Sequence, residues 1–168
     1  MTGQSGAEPP RAASPLFLRE PEIRRGLELL MFGASRLARG VDGTLAREGL
    51  GRAHQRALYF IARRPDITVG DLLGVLAVTK QSLGRVLTEL GSRGLVESRP
   101  GRDDRRQRLL RLTAAGTALE AELFEALRAR LSAAYARAGQ GAVTGFWEVL
   151  EGLIPAEDRA RLARLQRD

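Results

Sequence analysis

The feature that most constrains this chain is an amphipathic helix pattern followed at once by a basic hairpin. Residues 79–93 carry apolar side chains at helical spacing and begin with small polar and basic residues. Residues 101–113 then form an arginine-rich loop, a strand pattern and a threonine that can cap a helix. A helix that enters the major groove beside a loop that reaches the backbone and the minor groove is an arrangement that reads duplex DNA. The pattern therefore predicts a winged helix-turn-helix with double-stranded DNA as its partner.

The charge of the whole chain agrees with a polyanionic partner without being specific to one. Lys and Arg number 27 against 20 Asp and Glu, which gives a formal net charge of +7. Lys80 is the single lysine, and a composition rich in Arg, Ala and Gly is also what a GC-rich genome produces. Net charge alone leaves nucleic-acid binding open, and the location of the charge has to decide.

The scarce residue types exclude several classes of protein. There is no cysteine, and His54 is the only histidine, so disulfides, thiolate nucleophiles and a histidine-built metal site are not expected. The sequence has no nucleophile–base pair and no glycine-rich phosphate loop of the required spacing. We therefore expect no enzyme, no catalytic residue, no metal and no cofactor.

Membrane and export signals are also missing from the sequence. No apolar run approaches the roughly 20 residues that span a bilayer, and the N-terminus lacks a charged segment followed by an apolar one. We expect no membrane partner and a cytoplasmic location.

The N-terminal third divides into a tail and a helix. Residues 1–20 are rich in Gly, Pro, Ser and Ala and indicate a disordered tail. In residues 21–48, apolar side chains then recur at three- and four-residue steps as far as Val41, which predicts one N-terminal helix. The residues of this stripe are Ile23, Leu27, Leu30, Ala34, Leu37 and Val41.

Three shorter helices are predicted next. One covers residues 52–63 and is stopped by Pro65. Thr68 and Thr79 are candidate N-caps of the following two helices, and Gly94 ends the second of these at a position typical of a C-terminal glycine. Two short helices joined by a tight turn make a helix-turn-helix.

A hairpin and further helices complete the chain. Residues 95–99 and 108–112 are predicted to pair as the strands of a wing, and a long helix runs from Thr113 to about Arg137. The fold class is thus mainly α with a small two- or three-stranded β wing. The predicted segments are the tail (1–20), an N-terminal dimerisation helix (21–48), the winged helix-turn-helix (49–113) and C-terminal dimerisation helices (114–168).

The outer helices favour a homodimer. Their apolar stripes exceed what a winged helix of about seventy residues can cover, and a second copy of the chain would bury them. Phe146, Trp147 and Leu150 supply the C-terminal part of this surface.

The outward side of the predicted recognition helix carries groups that suit base edges. Arg or Lys can bond guanine, and Gln can bond adenine. Gly84 lowers helix stability there but would let the helix approach the groove closely. A solvated helix face with incidental charge is the alternative interpretation. The candidate DNA-contacting residues of this helix are Thr79, Lys80, Gln81, Ser82 and Arg85.

The wing carries six arginines between positions 99 and 111, opposed in this stretch only by Asp103 and Asp104. Guanidinium groups suit phosphates and narrow minor grooves. We expect Asp104 to accept hydrogen bonds within the loop and to orient Arg106. An ordinary charged hairpin is the alternative. The candidate wing residues are Arg102, Asp104, Arg105 and Arg106.

At these residues the chain resembles a known family. The stretch from Asp104 to Thr113, followed by Gly116, is similar to the wing signature of the MarR (multiple antibiotic resistance regulator) family, which is Asp-x-Arg, a strand ending in Leu-Thr and a nearby Gly. The similarity runs from about Gly49 to Gly116. Gly84 departs from the family, which often has a polar threonine at that position.

Two further segments resemble one part of that family. Residues 57–61 and 79–83 are similar to a proteobacterial subgroup related to a photosynthesis regulator.

The resemblance implies a homodimer on a palindromic operator, most often a repressor, which a small anionic or phenolic ligand can release. The usual pocket lies between the dimerisation helices and the winged helix. The candidates for holding an anion there are Arg36, His54, Arg56, Tyr59 and Arg63, each of which can also be read as a surface group or core filler. A nucleoid-type protein that binds DNA with little sequence preference is the alternative function.

Overall fold

The structure is a computed structural model that describes residues 18–101 and 104–165. Two compact units make up the chain, residues 1–36 and residues 37–168. The described helices and strands are α1 (Glu20–Ala38), a 3-10 turn (Arg39–Val41), α2 (Asp42–Arg47), α3 (Arg52–Arg63), β1 (Ile67–Thr68), α4 (Val69–Leu76), α5 (Lys80–Ser92), β2 (Val96–Pro100), β3 (Arg108–Leu112), α6 (Ala114–Ala138), α7 (Gln140–Gly152) and α8 (Ala156–Leu165). The mainly α fold with a small β wing is confirmed. No helix in these described ranges is long and apolar enough to cross a membrane.

Helix α1 supplies the described part of the first unit. Glu20 and Glu22 lie in its first turn, where carboxylates suit the helix dipole, and Glu20 pairs with Arg24 at 2.6 Å. Its apolar side chains are exposed, with Leu27 at 56 % and Phe32 at 69 %. The predicted stripe therefore exists as an exposed apolar surface on this helix from Ile23 to Leu30.

The N-terminal helix is shorter than the predicted segment 21–48. It ends at Ala38, and Val41 is not part of its stripe but is buried in the core of the second unit. Gly40 lies in the 3-10 turn that separates α1 from α2, and glycine is a poor helix former. The spacing of Val41 fitted a continuous helix only by coincidence.

The core of the second unit lies between α3, α5, α6 and the sheet. Its largest fully buried side chains include Leu58, Leu72, Leu83 and Leu123. The buried positions of α3 and α5 fall on one face of each helix, which leaves the opposite face of α5 to solvent. The core thus fixes which side of α5 is available to a partner.

Both predicted threonine caps of the helix-turn-helix are confirmed. The hydroxyl oxygen of Thr68 accepts the main-chain N–H of Asp71 at 3.0 Å, and that of Thr79 accepts the N–H of Ser82 at 3.2 Å. Between the two helices, Ala77 takes a left-handed conformation with φ of 51°. This residue makes the tight turn that sets α5 against α4.

Helix α5 ends in a Schellman motif at Gly94, the glycine that was predicted to terminate it. Gly94 has φ of +67°, and the N–H of Leu95 donates to the carbonyl of Leu90 at 2.9 Å. The chain then enters β2 directly. The wing is therefore attached to the recognition helix by a fixed turn.

The sheet has three antiparallel strands in the order β1-β3-β2. Ser98 lies opposite Leu110 across β2 and β3, and Ile67 lies opposite Leu110 on the other side. Sequence analysis missed β1, because two residues are too few to show an alternating pattern.

The start of α6 is packed tightly against the turn between α5 and β2. Thr113 caps this helix by accepting the N–H of Gly116 at 3.0 Å, and its hydroxyl donates to the carbonyl of Gly94 at 2.6 Å. A Cβ at position 116 would overlap the carbonyl oxygen of Leu95. Gly116 is therefore needed for the close approach between wing and helix.

The helices after the wing leave a second apolar surface exposed. On α7, Trp147 is 52 % and Val149 is 65 % exposed. The indole N–H of Trp147 donates to the hydroxyl of Tyr135 on α6 at 2.9 Å, so the aromatic side chain is held in place.

Candidate nucleic-acid interface

The exposed face of α5 carries the predicted base-reading side chains. Lys80, Gln81 and Arg85 are all exposed on it. Within the described residues none of the three side chains makes a hydrogen bond or ion pair to another part of the chain. Their donors and acceptors are therefore available to a partner.

Thr79 and Ser82 have a different local role. Besides accepting the Ser82 N–H, the Thr79 hydroxyl donates to the Ser82 hydroxyl at 2.9 Å. The pair closes the first turn of α5 at the surface. These two residues position the helix start, and their exposed hydroxyls can still reach a nearby phosphate.

A polar network on the inner flank of α5 holds the helix in place. Glu89 accepts a hydrogen bond from Arg93 at 2.7 Å and contacts Nε2 of His54 on α3 at 2.9 Å. Arg93 also donates to the main-chain carbonyl of Glu48 at 2.6 Å. The hydrogen bond from Arg93, with help from His54, keeps the pKa of Glu89 below its ordinary value, so this carboxyl stays charged.

His54 is therefore a structural residue in this arrangement. Its Nδ1 accepts the main-chain N–H of Gly51 at 3.0 Å, while Nε2 faces Glu89. The hydrogen-bond pattern assigns the ring proton to Nε2. His54 links the start of α3 to the recognition helix, a role that sequence analysis did not foresee.

The tip of the wing is a tight turn fixed by main-chain bonds. The N–H of Gly101 donates to the carbonyl of Gln107 at 2.9 Å, and the N–H of Gln107 donates to the carbonyl of Asp104 at 3.0 Å. A Cβ on Gly101 would lie 2.7 Å from that Asp104 carbonyl. Glycine at this position lets the hairpin close.

Asp104 acts on Arg106 through the backbone. Its Oδ1 accepts the main-chain N–H of Arg106 at 2.9 Å, which is the turn-amide bond expected from the sequence. The side chains of Arg105 and Arg106 are exposed and have no partner among the described residues. Arg102, the remaining candidate of the wing, lies outside the described residues.

An aspartate from another part of the chain pairs with two arginines at the base of the wing. Asp66 follows α3 with φ of +65° and accepts hydrogen bonds from Arg99 at 2.7 Å and from Arg111 at 2.6 Å. The two guanidinium groups, Arg111 foremost, lower the pKa of Asp66 to about 2. Besides the two aspartates within the stretch 99–111, the fold thus brings a further carboxylate to the wing arginines.

The wing arginines thus divide into two groups. Arg99 and Arg111 pair with Asp66, and Arg108 donates to the hydroxyl of Ser98 at 3.0 Å. These three stabilise the hairpin along its strands. Of the described arginines in the wing, Arg105 and Arg106 at the tip are the two whose side chains have neither a hydrogen bond nor an ion pair among the described residues.

The four candidate pocket residues of the second unit do not converge on one site. Arg56 donates to the main-chain carbonyl of Leu76 at 2.9 Å, and His54 faces Glu89. Arg63 is near Glu120, whose pKa is raised by burial and lowered in part by this arginine. Arg36 belongs to the other compact unit.

Arg56 lines a small pocket beside α5, and Tyr59 lines a larger cavity. The cavity measures about 250 Å³ and lies between α3 and α6. Its walls are mostly apolar, and Arg128 and Ser132 add polar groups. Arg128 already holds Glu125 through two hydrogen bonds of 2.6 and 2.7 Å. The lining residues are Leu37, Tyr59, Phe124, Leu127, Arg128, Leu131, Ser132 and Tyr135.

Comparison with known proteins gives one consistent result. The family model described as MarR family matches residues 48–107. The HTH-type transcriptional regulator PetP of Rhodobacter capsulatus is 48% identical over 153 residues, which are 91% of this chain and 89% of that protein.

Solved structures agree with the same fold. A crystal structure of a mutant MarR from E. coli complexed with operator DNA is similar with a TM-score of 0.65 and 25% identity, over 84% of this chain and 100% of that chain. A MarR family transcriptional regulator from Silicibacter pomeroyi gives a TM-score of 0.67 at 21% identity, over 84% of this chain and 94% of that chain.

Proposed function

This chain belongs to the MarR family of winged helix-turn-helix transcriptional regulators, and we propose that it binds a palindromic operator as a homodimer. The observation that carries the proposal is the placement of unpaired groups at two sites. Among the described residues, the side chains of Lys80, Gln81 and Arg85 on the exposed face of α5 have no partner, and neither do those of Arg105 and Arg106 at the wing tip. Such groups on a helix and on an adjoining loop match the major groove and the flanking backbone or minor groove.

In this proposal the two elements have different tasks. Arg85 and Gln81 bond base edges, because guanidinium and amide groups can pair with guanine and adenine in the major groove. Arg105 and Arg106 neutralise phosphates or enter the minor groove, and Arg102 and Asp104 belong to the same contact region. Thr79, Lys80 and Ser82 position the start of α5 against the DNA backbone.

Exposed apolar surface supports the dimer. Leu27 on α1 is 56 % exposed and Trp147 on α7 is 52 % exposed, within larger apolar faces on both helices. Large side chains of this kind rarely stay in contact with water unless a partner covers them. A second copy of the chain is the partner that a palindromic operator also requires.

Sedimentation of the full-length protein at micromolar concentration tests the dimer. We expect twice the 18.3 kDa mass of one chain. Leu27→Glu and Trp147→Glu should each shift the mass towards that of one chain, because a buried charge disrupts an apolar interface. A monomeric wild-type protein that still protects both halves of a palindrome would contradict the proposal.

We further propose that the regulator is a repressor and that a small anionic or phenolic ligand modulates it. A dimer that covers promoter DNA blocks access of polymerase by steric exclusion. The cavity beside Tyr59 is large enough for a small aromatic ring and has Arg128 and Ser132 to orient a carboxylate or hydroxyl group.

Salicylate is a suitable probe for this cavity. We expect it to weaken operator binding by the wild-type protein and to lose this effect in Tyr59→Ala. Equal operator affinity with and without millimolar salicylate would count against a ligand of this class at this cavity.

A further inference from the structure

Gly84 lies in the middle of the recognition helix without a structural reason inside the chain. The residue is exposed, and a Cβ built at this position would meet nothing within 4 Å. Its backbone is not in the region of positive φ, which among the described glycines is occupied by Gly49, Gly94 and Gly139. Neither packing within the described residues nor backbone conformation requires glycine here.

At other positions the fold of the chain itself requires a glycine. At Gly116 a Cβ would overlap the carbonyl of Leu95, and Gly94 needs its positive φ to end α5. By contrast, glycine in a helix interior exposes the backbone and costs stability relative to alanine. The helix is therefore less stable than it would be with almost any other residue at position 84.

The neighbours of Gly84 on the surface of α5 indicate why a glycine stands at this position. Gln81 and Thr88 are one helical turn before and after it on the same surface, and Arg85 is the next residue. All three are exposed, and they include the proposed base-reading groups. Glycines on α1, α2 and α7 also have open space, but Gly84 is the one that lies among the proposed base-reading groups.

We propose that Gly84 is a specificity-determining position, where the bare backbone of α5 approaches the base edges of the major groove so closely that a Cβ does not fit. This inference rests on the proposed function and adds a steric contribution to its sequence preference. Sequences that present a protruding group at this point, such as a thymine methyl, are accepted because no side chain fills the space.

Gly84→Ala tests the proposal, because folding and DNA binding should respond in opposite directions. We expect Tm to rise by about 2–4 °C, since alanine favours the helix and the site is open. Affinity for the operator, recovered by selection from random DNA with the wild-type protein, should fall by about tenfold or more. Affinity for unrelated DNA should stay the same, because the helix is not seated against base edges there.

Gly91→Ala is the matched control on the same helix. Gly91 is exposed near the C-terminal end of α5, and a Cβ there would make an ordinary contact at 3.9 Å with the carbonyl of Val96. This variant should raise Tm in the same way and leave operator affinity unchanged.

The possible outcomes separate this inference from the proposed function. Operator binding by Gly84→Ala that is as tight as wild type would overturn the inference, and so would an equal loss on operator and unrelated DNA. A fall in Tm would also overturn it, because the open space would then be absent. If the wild-type protein prefers no sequence at all, the proposed function has failed instead.

Discussion

The guanidinium of Arg111 and the carboxylate of Asp66 face each other through two hydrogen bonds, Nε to Oδ1 at 2.8 Å and Nη2 to Oδ2 at 2.6 Å. Arg99 donates two more hydrogen bonds to Oδ1 of the same carboxylate, from Nε at 3.2 Å and from Nη2 at 2.7 Å. Because Asp66 lies in the turn after α3, this cluster ties both long strands of the wing to the helix-turn-helix. The wing tip and the recognition helix are thereby kept in a fixed relation to each other.

Asp66→Asn should weaken operator binding even though it adds one positive charge. The variant loses the paired acceptor that holds Arg99 and Arg111, so the wing is no longer fixed for contact. Electrostatics alone would give the opposite result, since a more positive protein binds DNA more tightly. Titration of labelled operator measures the change.

Asp42→Asn is the control for that measurement. It adds the same charge by removing a carboxylate that pairs with Arg52 at 3.0 Å, away from the wing. Equal or tighter binding by both variants would show that the Asp66 cluster does not position the wing.

Acid should destabilise the folded protein over a pH range that depends in part on the pKa of Asp66. Its pKa is lowered from 3.8 to about 2 in the folded chain, so the carboxylate favours folding above about pH 4. This contribution is lost as pH falls through about 2, because protonation then removes the two ion pairs. Urea unfolding at a series of pH values should show a steeper loss for wild type than for Asp66→Asn between about pH 4 and 2. Parallel curves would contradict the assignment.

Asp104→Ala should weaken DNA binding at every salt concentration. The Asp104 carboxylate accepts the N–H of Arg106 at 2.9 Å, so its removal loosens the turn that presents the arginines. A wing that acted only through net charge would instead bind more tightly. Affinities measured at two salt concentrations decide, and tighter binding at both would remove the orienting role of Asp104.

Substitutions in α5 and in the wing tip should weaken DNA binding in different ways. Arg85→Ala and Gln81→Ala should each cost about 1–3 kcal/mol on the operator and little on random DNA, since they contact base edges. Arg106→Ala should weaken binding to many sequences and reduce the salt slope by about one unit if it neutralises one phosphate. Identical losses on operator and random DNA for all three variants would instead favour a nucleoid-type protein without sequence preference.

The local elements of the fold were predictable because their signals are local. Thr68, Thr79 and Thr113 each cap the helix that the sequence assigned to them. Gly94 ends α5 as its position indicated. Caps and periodicity depend on neighbours within four residues, which the sequence displays directly.

What the sequence did not reveal depends on distant partners. Asp66 is 33 residues from Arg99 and 45 from Arg111, and no spacing rule joins them. The same holds for His54 and Glu89, which are 35 residues apart. The strand β1 was not predicted, because its two residues are recognisable as a strand only through their pairing with β3. Tertiary contacts of this kind require the fold before they can be seen.

Footprinting of the full-length protein on its selected operator tests the central claim most directly. If two copies place their recognition helices on one face of the duplex, protection should cover an inverted repeat with half-site centres about 10 bp apart. Arg85→Ala should raise the protein concentration that is needed to protect the two halves, and by the same factor for both. Protection of a single asymmetric half-site at saturation would contradict the account of a dimeric regulator on a palindromic operator.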